Sequence, residues 1–326
     1  MRDAELGGRP AEVASLGHDG EVSHESQFEV GPKVVHRQVL TSGFNPAADR
    51  GYSGAAIPFR HDGVPNGSWT PVPNCQRLFA MGRYDGKTAV ITGGSSGLGL
   101  AAARYLVDEG TRVLVTGRTQ ETLDDAAAQL GGRAVAVRSD TSSLTEIEAL
   151  AERVRAEFGT VDALVVNAGI GSFDPFDEVT EQTFDDVFAI NTKGPFFTVQ
   201  KLAPLMTEGS GVVLTTSTAN QTGWDALSVY SASKAALRSM ARTLSRELLP
   251  RGIRVNAVSP GSIDTGKLEK EVPERAAELK AAFTASNPMQ RFGQPSEFAP
   301  AVAFLAFDAT FVAGIELVVD GGDSQL

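Results

Sequence analysis

A short apolar strand that runs into a glycine-rich loop is the feature that most constrains how this chain can fold. The run Thr88–Thr92 is rich in β-branched residues, and residues 93–99, with the sequence GGSSGLG, follow it directly. Ala101, Leu106 and Val107 then recur with a helical period. Glycines allow a backbone to turn tightly beside a pyrophosphate, and a helix N-terminus supplies N–H donors. The pattern predicts a strand, a phosphate-binding loop and a helix, although a glycine-rich turn without a ligand is the alternative.

Strand and helix patterns continue to alternate after this unit. Apolar runs predict strands at residues 112–116, 134–138 and 162–166, and apolar residues between 144 and 154 recur with a helical period. Parallel strands need crossover connections, so this alternation indicates the α/β class. We expect a single Rossmann-like, doubly wound parallel sheet flanked by helices, whose ligand cleft lies beyond the carboxyl ends of the strands.

The second predicted strand ends in Gly117 and Arg118 rather than in an acidic residue. An Asp or Glu at this edge would hydrogen-bond the ribose 2′-hydroxyl of NAD. An arginine can instead receive a 2′-phosphate through two parallel hydrogen bonds. We therefore expect NADP(H) to be favoured over NAD(H). The alternative is that Arg118 stacks on the adenine of either cofactor.

Tyr230 and Lys234 are four residues apart, a spacing that sets both side chains on one face of a helix. A neighbouring cation favours the phenolate, so we expect Lys234, together with a cationic cofactor ring, to lower the pKa of Tyr230 from its ordinary value of about 10. Tyr230 would then become a usable acid or base. The alternative is an ordinary surface helix, with the phenol half-buried and the ammonium in water.

Composition limits the classes of function that the chain can have. Its net charge of -11 and pI near 4.9 give no basic footprint for nucleic acid or for an anionic membrane. No apolar run approaches the roughly 20 residues that span a bilayer, and the N-terminus lacks a signal pattern. We expect a cytoplasmic protein without nucleic-acid or membrane partners. No histidine follows His61, so the rest of the chain cannot contain the Ser-His-Asp triad of a hydrolase.

Residues 1–83 differ from the rest of the chain. Glycine and proline punctuate them throughout, and no apolar period of a helix or a strand persists. All 4 histidines lie there, at spacings that match no metal-site pattern, so we expect no metal. We interpret residues 1–83 as a largely irregular N-terminal extension that is either not native to the protein or dispensable, followed by a domain at 84–326.

From residue 84 to the C-terminus the chain resembles the short-chain dehydrogenase/reductase family. The motifs that carry the resemblance stand in order: TGGSSGLG at 92–99, Asp140, NAG at 167–169, Asn191, Ser217, Tyr230 with Lys234, Pro260 and Gly261 with Thr265, and VDGG at 319–322. Each motif is weak alone, and their order and spacing are jointly specific. The resemblance implies an NAD(P)-dependent enzyme that interconverts a carbonyl and a secondary alcohol by hydride transfer.

The resemblance also implies roles for the matched residues. Tyr230 would be the catalytic acid or base, Lys234 would hold the nicotinamide ribose, and Ser217 would hydrogen-bond the substrate oxygen. Asn191 would position a water that links Lys234 to solvent. The expected cofactor-binding residues are Gly93, Ser95, Ser96, Gly97, Leu98, Gly99, Arg118, Asp140, Thr141, Asn167, Ala168, Gly169, Tyr230, Lys234, Pro260, Gly261, Ile263 and Thr265.

Structural alternatives remain for part of this set. Asp140 and Asn167 could cap strand ends or turns, and Thr265 could cap the helix that follows it. Pro300 departs from the family pattern, and we expect it near the start of the last helix, where proline is least disruptive.

The resemblance further implies a lid and a subunit contact. Residues 266–295, with an amphipathic piece near 274–283, would close over a small-molecule substrate, and a solvated surface excursion is the alternative. Apolar residues here and before Tyr230 suggest a pocket for an apolar or mixed substrate, although burial in the core would explain them equally well: Trp224, Leu227, Leu268, Leu279, Phe283, Met289 and Phe292. Residues 180–206 and the helix of Tyr230 would form a contact between subunits, giving a dimer or a tetramer.

Two other classes of function remain open. A non-catalytic dinucleotide-binding or scaffold protein would have the same fold. An epimerase or dehydratase of the same superfamily would favour a T-G-x-x-G-x-x-G loop and a larger C-terminal domain.

Overall fold

The computed structural model describes residues 82–326, so the predicted extension lies outside the described residues except for Gly82 and Arg83. The described part contains a seven-stranded sheet in the order β3-β2-β1-β4-β5-β6-β7, and every neighbouring pair is parallel. The strands are β1 Thr88–Thr92, β2 Arg112–Gly117, β3 Ala134–Arg138, β4 Val161–Val166, β5 Met206–Thr215, β6 Arg254–Pro260 and β7 Glu316–Val319.

Helices connect successive strands and cover both faces of the sheet. They are α1 Gly97–Asp108, α2 Gln120–Leu130, α3 Leu144–Phe158, α4 Glu181–Phe188, α5 Gly194–Leu202, α6 Ser228–Leu248, α7 Lys267–Glu271, α8 Ala276–Ser286 and α9 Pro295–Ala303. Wide π-helical turns follow α4 and α9. The strand order reverses between β1 and β4, which confirms the predicted doubly wound sheet and places its crevice at their carboxyl ends.

Alternate residues of the central strands pack against opposite helical layers. Ile91 and Val115 belong to the cluster that includes α1 and α9, whereas Val90 and Leu114 belong to the cluster with α3, α5 and α6. All four side chains are fully buried. Each such side chain contributes about 1.5–3 kcal/mol through burial. Replacing Leu114 with alanine should therefore cost about 2–5 kcal/mol.

Local signals set the helix boundaries, with one departure from expectation. Ser143 begins α3 by accepting a hydrogen bond from Glu146 N at 3.3 Å. The expectation that Pro300 lies near the start of the last helix is wrong. Because Pro295 already occupies the first turn of α9, Pro300 falls inside the helix and cannot donate to the carbonyl of Ser296. Across residues 82–326, no helix combines the length and the hydrophobicity that crossing a bilayer requires.

Candidate active site

A cleft of about 500 Å³ runs along the carboxyl ends of β1, β2, β4 and β5. Most of the predicted cofactor-binding residues line it: Gly93, Ser95, Ser96, Gly97, Leu98, Arg118, Asp140, Thr141, Asn167, Ala168, Gly169, Tyr230, Lys234, Pro260 and Thr265. These residues are distant in sequence, and the parallel sheet brings them together because all of its strands end at one edge.

The loop between β1 and α1 keeps its backbone close to the sheet. Gly93 and Gly97 have φ angles of 63° and 54°, a region that favours glycine. A Cβ atom at Gly94 would lie 2.8 Å from the side chain of Val115, so the loop packs directly on β2. Ser96 precedes α1 and its side chain makes no capping hydrogen bond within the described residues. The amide groups at this helix end can therefore bind an anion such as a pyrophosphate.

The edge of β2 carries the residue on which the cofactor prediction depends. Arg118 is exposed and lines the cleft beside Asp140. Burial alone raises the pKa of the Asp140 carboxyl, but hydrogen bonds from Ser142 and the nearby Arg118 and Arg138 lower it overall. Asp140 accepts from Ser142 N at 2.8 Å and from Ser142 Oγ at 2.7 Å. Asp140 therefore holds a turn, as in the alternative interpretation, and lines the cleft as well.

Asn167 joins the ends of β1 and β4. The hydroxyl of Thr92 accepts from Asn167 N at 3.0 Å and from Ala168 N at 3.1 Å. The Asn167 side chain donates to the carbonyl of Gly93 at 3.3 Å. Asn167 therefore fixes the position of the glycine loop, in addition to lining the cleft.

Asn191 is fully buried behind the wall of the cleft. Its Nδ2 donates to Ile170 O at 2.9 Å and to Ser233 Oγ at 3.1 Å, and its Oδ1 accepts from Ile170 N at 2.9 Å. A Cβ atom at Gly169 would lie 3.1 Å from Asn191 Oδ1 and 3.2 Å from Lys234 Nζ. Asn191 thus lies beside Lys234 without lining the cleft, and its role in positioning a water stays a prediction.

Ser217, Tyr230 and Lys234 meet where the cleft opens into a second cavity. Ser217 follows β5, whereas Tyr230 and Lys234 lie one turn apart in α6. Tyr230 and Ser217 both line the second cavity, and the Ser217 hydroxyl is close enough to lower the pKa of the Tyr230 phenol. Lys234 Nζ lies 5.8 Å from the centroid of the Tyr230 ring and donates to Thr215 O at 3.0 Å. The two hydroxyls and the ammonium therefore face one small volume.

In the protein without cofactor the pKa of Tyr230 is raised rather than lowered, and the lowering expected from Lys234 with a bound cofactor ring stays a prediction. Burial of the phenol raises the pKa of Tyr230, and the nearby Ser217 hydroxyl offsets this only in part. Burial also acts on Lys234 and, with the nearby Lys267, lowers its pKa from 10.5 to about 8. Sequence spacing predicted that the two groups are neighbours, but not that both are desolvated. Desolvation disfavours the charged form of each group.

The second cavity, of about 230 Å³, adjoins Ser217 and Tyr230. Residues 266–295 cover it with two helices, α7 and α8, in place of the one amphipathic piece expected near 274–283. Six residues of this segment line the cavity: Lys267, Leu268, Glu269, Lys280, Phe283 and Phe292. Closure of the segment over a substrate stays a prediction.

Comparisons with known proteins agree with this geometry. A family model described as enoyl-(acyl carrier protein) reductase matches residues 93–324. Oxidoreductase asL5 of Sarocladium schorii is 42% identical over 252 residues, which cover 76% of this chain and 100% of that protein. The crystal structure of a short-chain dehydrogenase/reductase, glucose/ribitol dehydrogenase, from Brucella melitensis has a TM-score of 0.70 at 34% identity, and the match covers 76% of this chain and 100% of that one. The chain belongs to the short-chain dehydrogenase/reductase family.

Membership of this family makes the protein an oxidoreductase that uses a nicotinamide cofactor, NAD or NADP. A further relative, galactitol 2-dehydrogenase of Agrobacterium fabrum, is 33% identical over 252 residues, which cover 74% of this chain and 98% of that protein.

Three residues of the predicted cofactor set lie away from the cleft of this dehydrogenase/reductase. Gly99 lies under the glycine loop, where a Cβ atom would press on the carbonyl oxygen of Gly93 and approach Asn167 Nδ2 to 2.6 Å. Gly261 and Ile263 line the second cavity instead. Gly99 therefore serves loop packing, and a role of the other two residues in cofactor binding stays a prediction.

Sequence reasoning missed several residues that line the cleft. Lys267 and Lys270 belong to α7 and reach the cleft directly after Thr265. The sequence did contain a signal for these two lysines. They are three residues apart, so they share a helix face, and they closely follow Thr265, which was predicted to bind the cofactor. The other residues missed are Thr116, Gly117, Thr119, Thr122, Ser139, Ile170, Ile190, Thr215 and Thr216.

Proposed function

We propose that this protein interconverts a carbonyl and a secondary alcohol with NADP(H), using Tyr230 as the acid or base. The observation that carries the proposal is the placement of Tyr230 where the cleft meets the cavity, with Ser217 on the cavity side and Lys234 on the cleft side. Two adjacent hydroxyls can hold a substrate oxygen while one of them exchanges a proton with it. The similarity to the relative named galactitol 2-dehydrogenase supports an alcohol as the substrate.

The protonation state of Tyr230 suits carbonyl reduction. Because burial raises the pKa of this phenol, it is neutral near pH 7. A neutral phenol can give its proton to the oxygen of a carbonyl that is being reduced. The hydroxyl of Ser217 would hydrogen-bond the same oxygen and stabilise the negative charge that develops there. In the opposite direction Tyr230 must lose its proton before it can accept one from an alcohol.

The lining of the cleft fits a dinucleotide. Bound NADP(H) would supply or accept the hydride. The glycine loop and the N-terminus of α1 would hold its pyrophosphate, Asp140 and Thr141 would contact the adenine, and Lys234 would hold the nicotinamide ribose. The stretch of Asn167, Ala168 and Gly169 would border the cofactor. Thr265, with Pro260, would meet the carboxamide region.

Arg118 supports NADP(H) over NAD(H). It lines the cleft at the end of β2, where an acidic residue would favour the unmodified ribose of NAD. A guanidinium at this position can bind the 2′-phosphate through charge-assisted hydrogen bonds. Competition between the two cofactors tests the preference, and turnover with NAD that equals or exceeds turnover with NADP would remove it.

Turnover of NAD(P)H across a panel of ketones and alcohols tests the function as a whole, with Tyr230→Phe as the matched variant. We expect several members of the panel to be reduced or oxidised by the parent protein and none at a comparable rate by the variant. Cofactor binding without turnover of any member would contradict the proposal and favour a non-catalytic binding protein.

A homo-oligomer, dimer or tetramer, is also proposed. Phe184 of α4 and Phe196 of α5 are 45% and 36% exposed, and Phe184 stacks on Phe188 with ring centroids 4.6 Å apart. Exposed aromatic clusters of this kind often mark protein contacts. A light-scattering mass equal to that of a single chain at all concentrations would contradict the proposal.

The cytoplasmic location is a separate prediction that cell fractionation tests.

The division of the chain at residue 84 stays a proposal as well. We expect the intact mass of the native protein, together with the activity of a chain that begins at Met81, to show that the preceding residues are absent or dispensable. Loss of activity in that shorter chain would contradict this division.

A further inference from the structure

The cavity beside Ser217 and Tyr230 has aromatic walls that come from separate segments. Trp224 lies in the loop before α6, Phe283 lies in α8, and Phe292 lies in the loop before α9. The rings of Trp224 and Phe283 meet edge to face with centroids 5.6 Å apart, and those of Phe283 and Phe292 are 6.3 Å apart. Aliphatic side chains add to the apolar surface: Leu227, Ile263 and Leu268.

Three charged side chains of the cavity lining, Asp264, Glu269 and Lys280, are engaged with one another. Lys280 Nζ donates to both carboxylate oxygens of Asp264, at 3.0 and 3.1 Å, and forms an ion pair with Glu269. The same Nζ lies 5.9 Å from the centroid of the Phe292 ring. These contacts tie α7 and α8 to the loop after β6. Burial, together with Asp320, raises the pKa of Asp323, the remaining carboxyl of the lining, which disfavours its charged form.

We propose that the cavity takes a cyclic or aryl alcohol or ketone rather than an open-chain polyol. A polyol would bring several hydroxyls into contact with aromatic carbon, and each buried hydroxyl without a partner costs free energy. A ring with one oxygen needs polar partners only where Ser217 and Tyr230 stand, and its carbons can pack on Trp224 and Phe283. This inference rests on the proposed function, and it names the substrate class for the same site.

Steady-state kinetics with matched substrates test the substrate class. With NADP⁺ fixed, kcat/KM for cyclohexanol and 1-phenylethanol should exceed that for ribitol and galactitol by about tenfold or more. Phe283→Ala should lower kcat/KM about tenfold for the ring compounds and leave it unchanged for any polyol that reacts. Phe176→Ala is the control, because Phe176 is 86% exposed and lies outside the cavity lining. Polyols that match the ring alcohols, or an equal loss for both classes, would overturn the inference.

A binding measurement separates this inference from the proposed function. The chain has 2 tryptophans, Trp69 and Trp224, so Trp69→Phe leaves Trp224 as the only fluorescent indole. Acetophenone should quench this fluorescence with saturation, and Phe283→Ala should raise the apparent Kd about tenfold. Saturable quenching in a protein that turns over no compound would support the cavity and contradict the function. Oxidation of ribitol without saturable quenching by acetophenone would support the proposed function and contradict the inferred substrate class.

A second inference comes from a buried carboxylate on the far side of Ser217. The side chain of Glu316, the first residue of β7, is only 6% exposed. It accepts hydrogen bonds from Asn220 Nδ2 at 2.6 Å and from Thr216 Oγ1 at 3.1 Å. Arg238 Nε lies 2.7 Å from Glu316 Oε2, in an ion pair whose N–H is not well aligned for a hydrogen bond. A buried carboxylate needs such partners because its desolvation is costly.

Asn220 connects this carboxylate to Ser217. Its Nδ2 also donates to the carbonyl of Ser217, and its Oδ1 accepts from Arg238 Nη1 at 3.3 Å. Both ends of the Asn220 amide are therefore held, and Ser217 Oγ accepts from Ala219 N at 3.3 Å in the same turn. We infer that Glu316 is a positioning residue that fixes the turn on which Ser217 stands.

A double-mutant cycle tests this role. Glu316→Ala should lower kcat about tenfold in the parent protein, because the turn and its hydroxyl shift. In a Ser217→Ala protein the same change should lower kcat no further, since the hydroxyl that it positions is gone. Glu316→Gln keeps a hydrogen-bond acceptor for Asn220, so it should retain more of kcat than Glu316→Ala. It replaces Glu316→Ala in the double-mutant cycle if the alanine variant does not fold. Losses that multiply in the double variant would show a general structural role and overturn the inference.

Discussion

Replacing Lys234 with methionine should stabilise the protein without cofactor while removing its activity. Lys234 is 4% exposed, and the pKa of its ammonium falls from 10.5 to about 8 chiefly because of burial. At ~1.4 kcal/mol for each tenfold change, that fall corresponds to roughly 3 kcal/mol of unfavourable free energy in the folded state. Methionine keeps an unbranched apolar stem and carries no charge. Its loss of the hydrogen bond to Thr215 O should cost about 1 kcal/mol, so we expect a net gain near 2 kcal/mol at pH 7.

This gain should depend on pH in one direction. Stability rises with pH wherever the unfolded state binds more protons than the folded state, which for Lys234 is the range from about 8 to 10.5. The parent protein carries the full penalty below about pH 8 and recovers from it as the folded lysine loses its proton. The advantage of the methionine variant should therefore be largest at pH 7 and shrink between pH 8 and 10.

Chemical denaturation of the two proteins without cofactor, at one protein concentration, measures the difference. Lys201→Met is the control, because Lys201 is partly exposed and pairs with Glu148 at 2.6 Å. That change should give no stabilisation that fades with rising pH. A Lys234→Met protein that is less stable than the parent at pH 7, or whose advantage stays constant to pH 10, would refute the reasoning.

Three further predictions concern the cofactor. Arg118→Ala should lower kcat/KM for NADPH about tenfold or more, because it removes a charge-assisted contact with the 2′-phosphate. It should leave kcat/KM for NADH nearly unchanged. Equal losses for the two cofactors would contradict the role of Arg118. Gly99→Ala should weaken NADPH binding about tenfold in a fluorescence titration, because the new Cβ would press on the glycine loop. Its control, Gly132→Ala, meets no atom within 4 Å and should bind normally. The value of kcat/KM for NADPH should fall above about pH 8, where Lys234 of the cofactor-free protein loses its proton. A flat profile up to pH 10 would contradict a need for the ammonium.

The sequence was sufficient for the first four strands of the sheet because their signals are local. β1 and β3 have the predicted bounds, since short runs rich in valine or other β-branched residues and flanked by polar or glycine residues predict strands. The glycine loop follows from the same kind of signal. The lid was predicted less well: α7 and α8 depend on contacts such as those of Lys280 with Asp264, which join separate segments and leave no periodic pattern.

Burial explains most of what sequence reasoning missed at the site. Spacing along α6 indicates that Tyr230 and Lys234 are neighbours, but it does not show that both are desolvated, and desolvation decides the direction of both pKa shifts. Glu316 and Asn220 are 96 residues apart, and only the pairing of β7 with β6 brings them together. A carboxylate at the start of a strand carries no local sign that it will be buried.

The most direct test of the central claim is a single-turnover measurement of NADPH oxidation at pH 7 with a carbonyl substrate, comparing the parent protein with Tyr230→Phe. Both proteins are first shown to bind NADPH with similar affinity, so that the comparison reports the chemical step. If Tyr230 supplies the proton, the rate in the phenylalanine variant should be lower by about 10²–10⁴-fold. Rates within a factor of about two of each other would show that the proton comes from elsewhere.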